Sequence, residues 1–219
     1  LIHVSNLYFT EPSIKAAEYL SKASGMDKVF FTNSGAESTE GALKLARKYY
    51  YQKHGKADSE IISLNHSFHG RTTGSVKLTG NAHYQEAFGP LIEGVKYANI
   101  NDLESVKALV NEKTAAIIVE PVQGEGGVYV CSKEFLTGLR ILCDEKDIAL
   151  ILDEVQCGMG RLGSLFAHDL YGVKPGEHGN TYGANPLCMA AVCAVFEIYD
   201  KLDLVGNVNK MAPVLKEGI

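Results

Sequence analysis

Four short segments carry polar and glycine residues of the kinds that bind ligands. They are residues 33–37 (Asn-Ser-Gly-Ala-Glu), 65–71 (Asn-His-Ser-Phe-His-Gly-Arg), 120–127 (Glu-Pro-Val-Gln-Gly-Glu-Gly-Gly) and 153–156 (Asp-Glu-Val-Gln). Each of them directly follows an apolar run of strand length. Because ligands of parallel α/β sheets bind outside the carboxyl ends of the strands, we expect the four segments to share one site.

The first segment has the pattern of an anion-binding helix start. Ser34 followed by Glu37 is the capping-box spacing at the head of an amphipathic stretch. Small residues at Gly35 and Ala36 would leave backbone amides open at the positive end of that helix, where phosphate binds readily. A plain helix cap without a ligand explains the same residues, so both interpretations stay open for this segment alone.

The second segment offers an aromatic ring and a cation. Phe68 could stack on an aromatic ligand, and Arg71 could bind a carboxylate through two hydrogen bonds. His66 and His69 suggest a metal pair, but helical zinc pairs use i, i+4 spacing with an adjacent Glu. Ordinary turn chemistry is one alternative, and a metal-dependent hydrolase that uses both histidines with Asp153 is another.

Asp153 follows the most apolar run of the chain. A carboxylate there is partly withdrawn from water and needs a cationic partner. The protonated nitrogen of a pyridine ring is such a partner in cofactor chemistry, while a loop cap or a metal ligand are the alternatives. In the polar loop at residues 179–186, Thr181 could offer a hydroxyl and an amide to a phosphate, or Asn185 and Pro186 could simply begin a helix.

The elements that must position these segments alternate along the chain. Strands are predicted at residues 29–32, 60–64, 95–98, 115–120 and 148–153, and helices at residues 12–24, 35–53, 102–111, 132–146 and 184–201. The last two strands lack polar alternation, as strands buried on both faces do. The sequence therefore predicts an α/β fold in three layers, with a mostly parallel central sheet flanked by helices.

Composition narrows the classes of protein. The 219 residues are 46% hydrophobic, enough for one sizeable core, and carry a formal net charge of -5. The sequence contains no basic stripe interleaved with aromatic residues, so nucleic-acid binding is not expected. No apolar run is long enough for a membrane span, and no segment resembles a signal peptide, although the start at Leu1 leaves an upstream segment open. Five cysteines without a CxxC pair favour buried thiols in a reduced, cytoplasmic protein.

Taken together, the segments resemble the class-III (subgroup II) aminotransferases, a fold type I family that uses pyridoxal 5′-phosphate. The resemblance is carried by residues 3–8, 33–37, 68–72, 120–127, 153–156, 158–161 and 178–187. Within the family, residues 6–8, 124–128 and 176–183 are most similar to acetylornithine aminotransferases. Ornithine, succinylornithine and 4-aminobutyrate aminotransferases share most of these residues.

The resemblance implies a set of cofactor contacts. Asp153 would pair with the ring nitrogen and keep it protonated, which makes the cofactor an electron sink. Phe68 and Val155 would pack on opposite faces of the ring. The other implied contacts are the backbone amides of Gly35 and Ala36 to the phosphate and the side chain of Gln156 to the ring hydroxyl.

The resemblance also implies substrates and a partner. Arg71 would bind the substrate α-carboxylate, Glu125 would help the site accept both substrates, and Glu120 would lie behind them. Thr181 would reach the phosphate, and Asn180 the substrate, of a neighbouring subunit, so a homodimer with composite sites is implied. The reaction would move the ω-amino group of N-acetylornithine, or of a related amine, to 2-oxoglutarate in arginine biosynthesis.

One departure from the family concerns the lysine that carries the cofactor as a Schiff base. The family places it between a Gly-Val-Lys-Pro turn and a His-Gly-x-Thr-Tyr-Gly loop, yet here residues 172–175 run directly into residues 176–178, and Lys174 belongs to the turn. A natural deletion would remove a strand and leave backbone groups of its neighbours unpaired, so we expect the natural polypeptide to carry the segment. A non-catalytic relative without the lysine is the alternative.

The implied domain organisation has two parts. Residues 1–205 are predicted to form the large cofactor-binding domain, and residues 206–219 the start of a smaller C-terminal domain.

Overall fold

A computed structural model of the chain describes residues 4, 5, 7–173 and 186–217, without the side chains of residues 186–191. Its helices are α1 (Glu11–Ser24), α2 (Gly35–His54), α3 (Thr73–Leu78), α4 (Leu103–Lys107), α5 (Lys133–Lys146), α6 (Ala167–Tyr171), α7 (Pro186–Leu202) and α8 (Leu204–Glu217). Its strands are β1 (Glu60–Leu64), β2 (Val95–Ala98), β3 (Thr114–Val119), β4 (Val122–Gln123), β5 (Tyr129–Val130) and β6 (Ala149–Leu152).

The chain forms two compact units, of which the first comprises residues 33–157 and 171–173. Its central sheet has the strand order β2-β1-β3-β6, and every neighbouring pair is parallel. The strands β4 and β5 form a separate antiparallel pair directly after β3. The predicted α/β class with a parallel central sheet is confirmed.

Helices cover both faces of this sheet. On one face, Ile62 and Ile117 pack with α5 residues such as Leu136 in a fully buried cluster. On the other face, Ile61 and Ile118 pack against the α2 side chains of a second cluster. Every residue of β3 is buried, which explains its unbroken apolar run, and the unit has the predicted three layers.

The second unit comprises the described residues within 1–32, 158–170 and 186–217. Its helices α1 and α7 pack together, with the rings of Tyr19 and Phe196 stacked at 5.9 Å between centroids. The Tyr199 hydroxyl donates to the Met159 carbonyl oxygen at 2.7 Å, which fastens α7 to the turn that follows residue 157. The predicted domain boundary between residues 205 and 206 stays a prediction.

Two predicted elements differ from the structure. Residues 29–32 form no strand, and Phe30 is 43% exposed, so their β-favouring side chains lack the half-buried surface on which strand propensity depends. The helix predicted over residues 102–111 ends at Lys107. Its expected last turn is replaced by an Asn111 turn, in which the Asn111 side chain accepts a hydrogen bond from the Lys113 amide at 2.7 Å and leads the chain into β3.

The remaining predicted strands and helices agree with the structure to within two residues wherever both ends are described. The helix predicted over residues 184–201 is described from Pro186 onward. None of the helices in the described residues is long and apolar enough to cross a membrane.

Candidate active site

The strand-end segments meet at the carboxyl edge of the parallel sheet in the first unit. Asp153 directly follows β6, and its backbone N–H donates to the Val119 carbonyl oxygen at the end of β3 at 2.8 Å. Glu120 is the next residue after β3, so two carboxylates from neighbouring strands lie at the same edge. Both are buried, with Asp153 9% and Glu120 2% exposed.

Asp153 is held by a buried histidine. Its Oδ2 lies 2.8 Å from Nδ1 of His69, whose side chain is fully buried, and its Oδ1 accepts from the Val155 amide at 3.1 Å. An ionised carboxylate only accepts, so its hydrogen bond with His69 requires a proton on Nδ1. Among the described residues, no Lys or Arg lies within ion-pair distance of Asp153.

His69 is itself fixed by its backbone. Its N–H donates to Thr79 Oγ1 at 2.9 Å, and its carbonyl oxygen accepts from Thr39 Oγ1 at 2.7 Å. Thr39 lies in α2 and Thr79 directly follows α3, so two helices set the direction of the imidazole. The His69 ring therefore orients the Asp153 carboxylate from a rigid backbone.

The start of α2, which follows no strand, lies against two of the strand-end segments. A methyl group built at Gly35 would come within 2.9 Å of the Val155 side chain. Gly70 has a φ of 125°, which only glycine adopts readily, and a methyl group there would lie 2.8 Å from Cβ of Ala36. Glycine at these two positions lets three segments approach to van der Waals contact.

The first turn of α2 presents open amides, as predicted. Ser34 Oγ accepts from the Glu37 amide at 3.2 Å, and within the described residues nothing accepts from the N–H groups of Gly35 and Ala36. The capping box is modified, because the Glu37 carboxylate accepts from the Asn33 amide at 2.6 Å, one residue before the predicted partner. The result is a helix N-terminus that can bind an anion.

Glu120 supports the Phe68 backbone. Its Oε2 accepts from the Phe68 amide at 2.9 Å. Burial raises the pKa of the Glu120 carboxyl to about 8; the Phe68 hydrogen bond opposes this shift, and the nearby charges of Asp153 and Glu125 add to it. The protonated acid therefore predominates at neutral pH, which lowers the repulsion between two buried carboxyl groups.

The loop after β3 lies beside the segment after β6. A methyl group at Gly124 would lie 2.3 Å from Gln156 Oε1, so the Gln156 amide lies directly over this loop. Glu125, the next residue, is exposed. The Gln123 side chain is fully buried and donates from Nε2 to the Asn65 carbonyl oxygen at 3.1 Å, which ties the loop to the end of β1.

Arg71 lies on the rim of the site against two aromatic rings. Its guanidinium carbon is 4.0 Å from the Tyr84 ring centroid and 5.4 Å from that of Phe68. The two rings meet edge to face at 6.2 Å. Arg71 is exposed, and no carboxylate in the described part of the chain pairs with it.

Other residues that the sequence singled out are not part of this group of side chains. Asn180 and Thr181, together with the junction of residues 175 and 176, lie outside the described residues. The His66 ring lies 6.3 Å from the Tyr129 ring. Among the described residues, no three His, Cys, Asp or Glu side chains form a group that could hold a metal ion. Cys131, Cys143 and Cys157 are free thiols and buried, as expected of this sequence.

Comparison with known proteins identifies the family. The model of the class-III aminotransferases matches residues 1–176. The chain belongs to this family. It is 45% identical over 232 residues to the acetylornithine aminotransferase of Methanocaldococcus jannaschii, an alignment that covers 92% of this chain and 58% of the relative.

Further class-III aminotransferases are similar in sequence. The acetylornithine aminotransferase of Clostridium acetobutylicum is 45% identical over 246 residues, covering 98% of this chain and 64% of the relative. The chain thus spans about six tenths of the length of these two proteins. The alignment with the acetylornithine aminotransferase of Caldanaerobacter subterraneus extends over 248 residues, whereas this chain has 219. Part of that relative is therefore aligned with gaps in this chain.

Solved structures of aminotransferases share the fold. A transaminase from the marine bacterium Virgibacillus superposes with a TM-score of 0.90 at 27% identity, covering 100% of this chain and 61% of that one. The ornithine aminotransferase of Toxoplasma gondii, reported with partial occupancy of PLP at its active site, gives a TM-score of 0.87 at 27% identity, covering 98% of this chain and 58% of that one.

The sequence patterns do not identify two residues that lie in the candidate site. The sequence pattern predicts a turn residue or a metal ligand at His69, yet the His69 imidazole holds Asp153. Its position between Phe68 and Gly70, directly after a buried strand, was the available signal. Tyr84 lies in a short polar stretch with no motif, and nothing in the sequence alone places its ring on Arg71.

Proposed function

We propose that this chain supplies the cofactor site of an enzyme that transfers the ω-amino group of N-acetylornithine, or of a closely related ω-amine, to 2-oxoglutarate. The observation that carries the proposal is the Asp153–His69 pair. It is a buried carboxylate, oriented by an imidazole and without a Lys or Arg partner among the described residues. Such a carboxylate is suited to a cationic ring nitrogen.

The residues fit pyridoxal 5′-phosphate at three points. The open amides of Gly35 and Ala36 suit its phosphate, and Asp153 suits its ring nitrogen. Phe68 and the 57% exposed Val155 provide apolar surface near that carboxylate for the ring faces. When bound, the cofactor supplies a protonated ring that withdraws electrons from the substrate carbon beside the amine.

Each side chain then has one task. Asp153 holds the proton at the ring nitrogen, and the His69 Nδ1–H keeps that carboxylate in place. Phe68 and Val155 exclude water from the ring, while Gln156 binds the ring hydroxyl. Arg71 binds the carboxylate of the amino donor and of the keto acid. Glu125, exposed at the loop after β3, helps the site accept both substrates.

A second copy of the chain completes the site. Thr181 would bind the phosphate, and Asn180 would lie near the substrate, of the partner subunit, so the working unit is a homodimer. We place this dimer in the cytoplasm, in line with the free thiols of the described cysteines. Residues 1–205 would form its large domain and residues 206–219 would begin the small one.

An absorbance spectrum of the purified protein with added pyridoxal phosphate tests the proposal. We expect a band at roughly 400–430 nm from lysine-bound cofactor, lost on addition of N-acetylornithine. Ornithine, succinylornithine and 4-aminobutyrate, added in parallel, rank the amino donors. Absorbance of free cofactor alone, unchanged by every amine, would contradict an aminotransferase.

The sequence around residues 172–178 favours one second candidate, a non-catalytic relative, because the family's lysine is absent there. Intact-mass spectrometry of the natural polypeptide separates the two. A mass well above 23.7 kDa, with a lysine-bearing segment after Pro175 in the peptide map, supports the enzyme. A mass of 23.7 kDa would favour a protein that binds the cofactor without lysine attachment.

A further inference from the structure

The guanidinium of Arg71 lies on the ring of Tyr84, at 4.0 Å from the ring centroid. At this distance a guanidinium is attracted to the negative face of the ring. The attraction restricts the plane of an exposed, flexible side chain while leaving its in-plane N–H donors available. A planar carboxylate binds such a fork through two parallel hydrogen bonds.

Hydrogen bonds brace the turn that carries Tyr84. Its backbone N–H donates to the Asn81 carbonyl oxygen at 3.1 Å, closing a turn directly after α3. The neighbouring Gln85 donates from Nε2 to the Thr79 carbonyl oxygen at 2.7 Å and to the Tyr97 hydroxyl at 2.9 Å. The backbone that carries the Tyr84 ring is therefore braced by hydrogen bonds that do not involve Arg71.

The same brace reaches the Asp153 site. Thr79 Oγ1 accepts from the His69 amide at 2.9 Å, so one residue anchors both the Tyr84 turn and the backbone of the segment that contains Phe68, His69 and Arg71. Phe68 meets Tyr84 edge to face and also lies 5.4 Å from the Arg71 guanidinium. The Tyr84 ring and the Arg71 cation therefore both lie beside Phe68, which would pack on the proposed cofactor ring.

We propose that Tyr84 is a positioning residue that selects substrates carrying a carboxylate, by holding Arg71 in the orientation that binds this group. The inference rests on the proposed function, since it takes Arg71 as the carboxylate-binding residue. Without the ring, the guanidinium would keep its charge but sample many orientations. Carboxylate substrates would then bind more weakly, while the cofactor would bind as before.

The test is calorimetric titration of glutarate, an unreactive dicarboxylate, into the protein loaded with pyridoxal phosphate. Tyr84→Leu should raise the Kd of glutarate roughly fivefold, and Tyr84→Phe, which keeps the ring, should stay near the unsubstituted value. Phe88→Leu is the matched control, because Phe88 lies in the next turn, is 62% exposed and has no described contact with Arg71. It should leave the Kd unchanged.

Kinetics provide a second readout. Tyr84→Leu should raise KM for N-acetylornithine and 2-oxoglutarate by a similar factor with a much smaller effect on kcat, and the affinity for pyridoxal phosphate should not change. A purely structural role of Tyr84 would instead lower cofactor affinity and thermal stability together. An unchanged Kd for glutarate in Tyr84→Leu would overturn the inference.

Arg71→Ala separates this inference from the proposed function. If Arg71→Ala abolishes glutarate binding and Tyr84→Leu has no effect, the role of Tyr84 is wrong and that of Arg71 stands. If the unsubstituted protein and Arg71→Ala bind glutarate equally, or neither binds it, the carboxylate role of Arg71 fails and the inference falls with it.

Discussion

The two edges of the parallel sheet treat charge in opposite ways. At the carboxyl edge, Asp153 and Glu120 are buried and lack Lys or Arg partners in the described residues. The amino edge borders a cleft of about 560 Å³, which is lined by exposed ion pairs. There Lys53 contacts Asp147 at 2.5 Å and Lys113 contacts Asp58 at 3.1 Å.

The comparison shows which concave surface has unsatisfied chemistry. Exposed ion pairs satisfy one another in water and contribute little, so the amino-edge cleft requires no ligand to explain its residues. A buried carboxylate oriented by a histidine retains a demand for positive charge. This demand, and not the size of a cavity, distinguishes the proposed active site from the opposite edge.

The largest difference between the edges should be in transaminase activity, when one carboxylate charge is removed from each edge. Asp153→Asn should lower transaminase activity by on the order of 10²–10³-fold, because the ring nitrogen loses its anionic partner. Asp147→Asn, an exposed residue of the amino edge, should leave activity unchanged. Steady-state kinetics measure both, and equal activities of the two variants would contradict the role of Asp153.

The second largest difference should be in the free energy of unfolding that is lost when a glycine at each edge is replaced by alanine. Gly70→Ala should lower the free energy of unfolding by about 3 kcal/mol, because φ is 125° and the methyl group meets Ala36 and Ser75 within 3 Å. Gly55→Ala, with φ 69° and open space around it, should cost only about 1 kcal/mol. Urea unfolding measures both, and similar costs would refute the tight packing at the carboxyl edge.

Removing the Glu120 carboxyl should alter the pH dependence of stability at the carboxyl edge. Native Glu120 keeps its proton up to a pKa of about 8, whereas the ordinary value is 4.5. Between these pH values the native state binds more protons, so its stability should fall as pH rises, by at most about 1.4 kcal/mol per unit, and then level off. Glu120→Gln should flatten this slope.

Glu112→Gln, at the amino-edge cleft, is the control for that titration and should keep the slope of the unsubstituted protein. Unfolding midpoints recorded between pH 5 and 9 give the comparison. A slope that survives in Glu120→Gln would assign the titration to another group.

The smallest effect should come from breaking an amino-edge ion pair. Lys53→Ala should lower the free energy of unfolding by at most about 1 kcal/mol, because the pair is exposed and its lysine loses entropy on pairing. High salt should erase most of the difference. A loss that is larger, or that does not depend on salt, would show that this edge contributes more than solvent-screened pairing.

Residue order predicted most of the sheet but not the side-chain network. The apolar runs over residues 115–119 and 148–152 identified two parallel strands. Burial on both faces removes polar alternation, and β3 is buried throughout as predicted. Every residue of β6 is only partly buried, because β6 lies at the edge of the described sheet, so the predicted burial of that strand was wrong. The polar residues after those strands lie at one edge of the sheet, as predicted, because parallel strands bring their carboxyl ends together. The strand predicted over residues 29–32 was wrong, because β-favouring side chains do not reveal whether a neighbouring strand is available for pairing.

The side-chain pairs at the site join residues that are far apart in the sequence. Asp153 and His69 are 84 positions apart, and only the fold brings their side chains to 2.8 Å. The hydrogen bond of Glu120 to Phe68 and the contact of Arg71 with Tyr84 likewise depend on loop paths that have no sequence signature. The family resemblance named roles for matched residues but gave no role to Tyr84.

The first turns of α2 also brace α3. Thr39 reaches the His69 carbonyl and the Ser75 hydroxyl, and Glu40 Oε1 accepts from the amides of Gly74 and Ser75 at 2.9 and 3.2 Å. An anion bound at the Gly35 amide would hold this turn closed. Backbone hydrogens of α3 should then exchange with deuterium more slowly, although α3 supplies none of the proposed cofactor contacts. The rate of deuterium exchange in α3 would thus report whether an anion is bound at the start of α2.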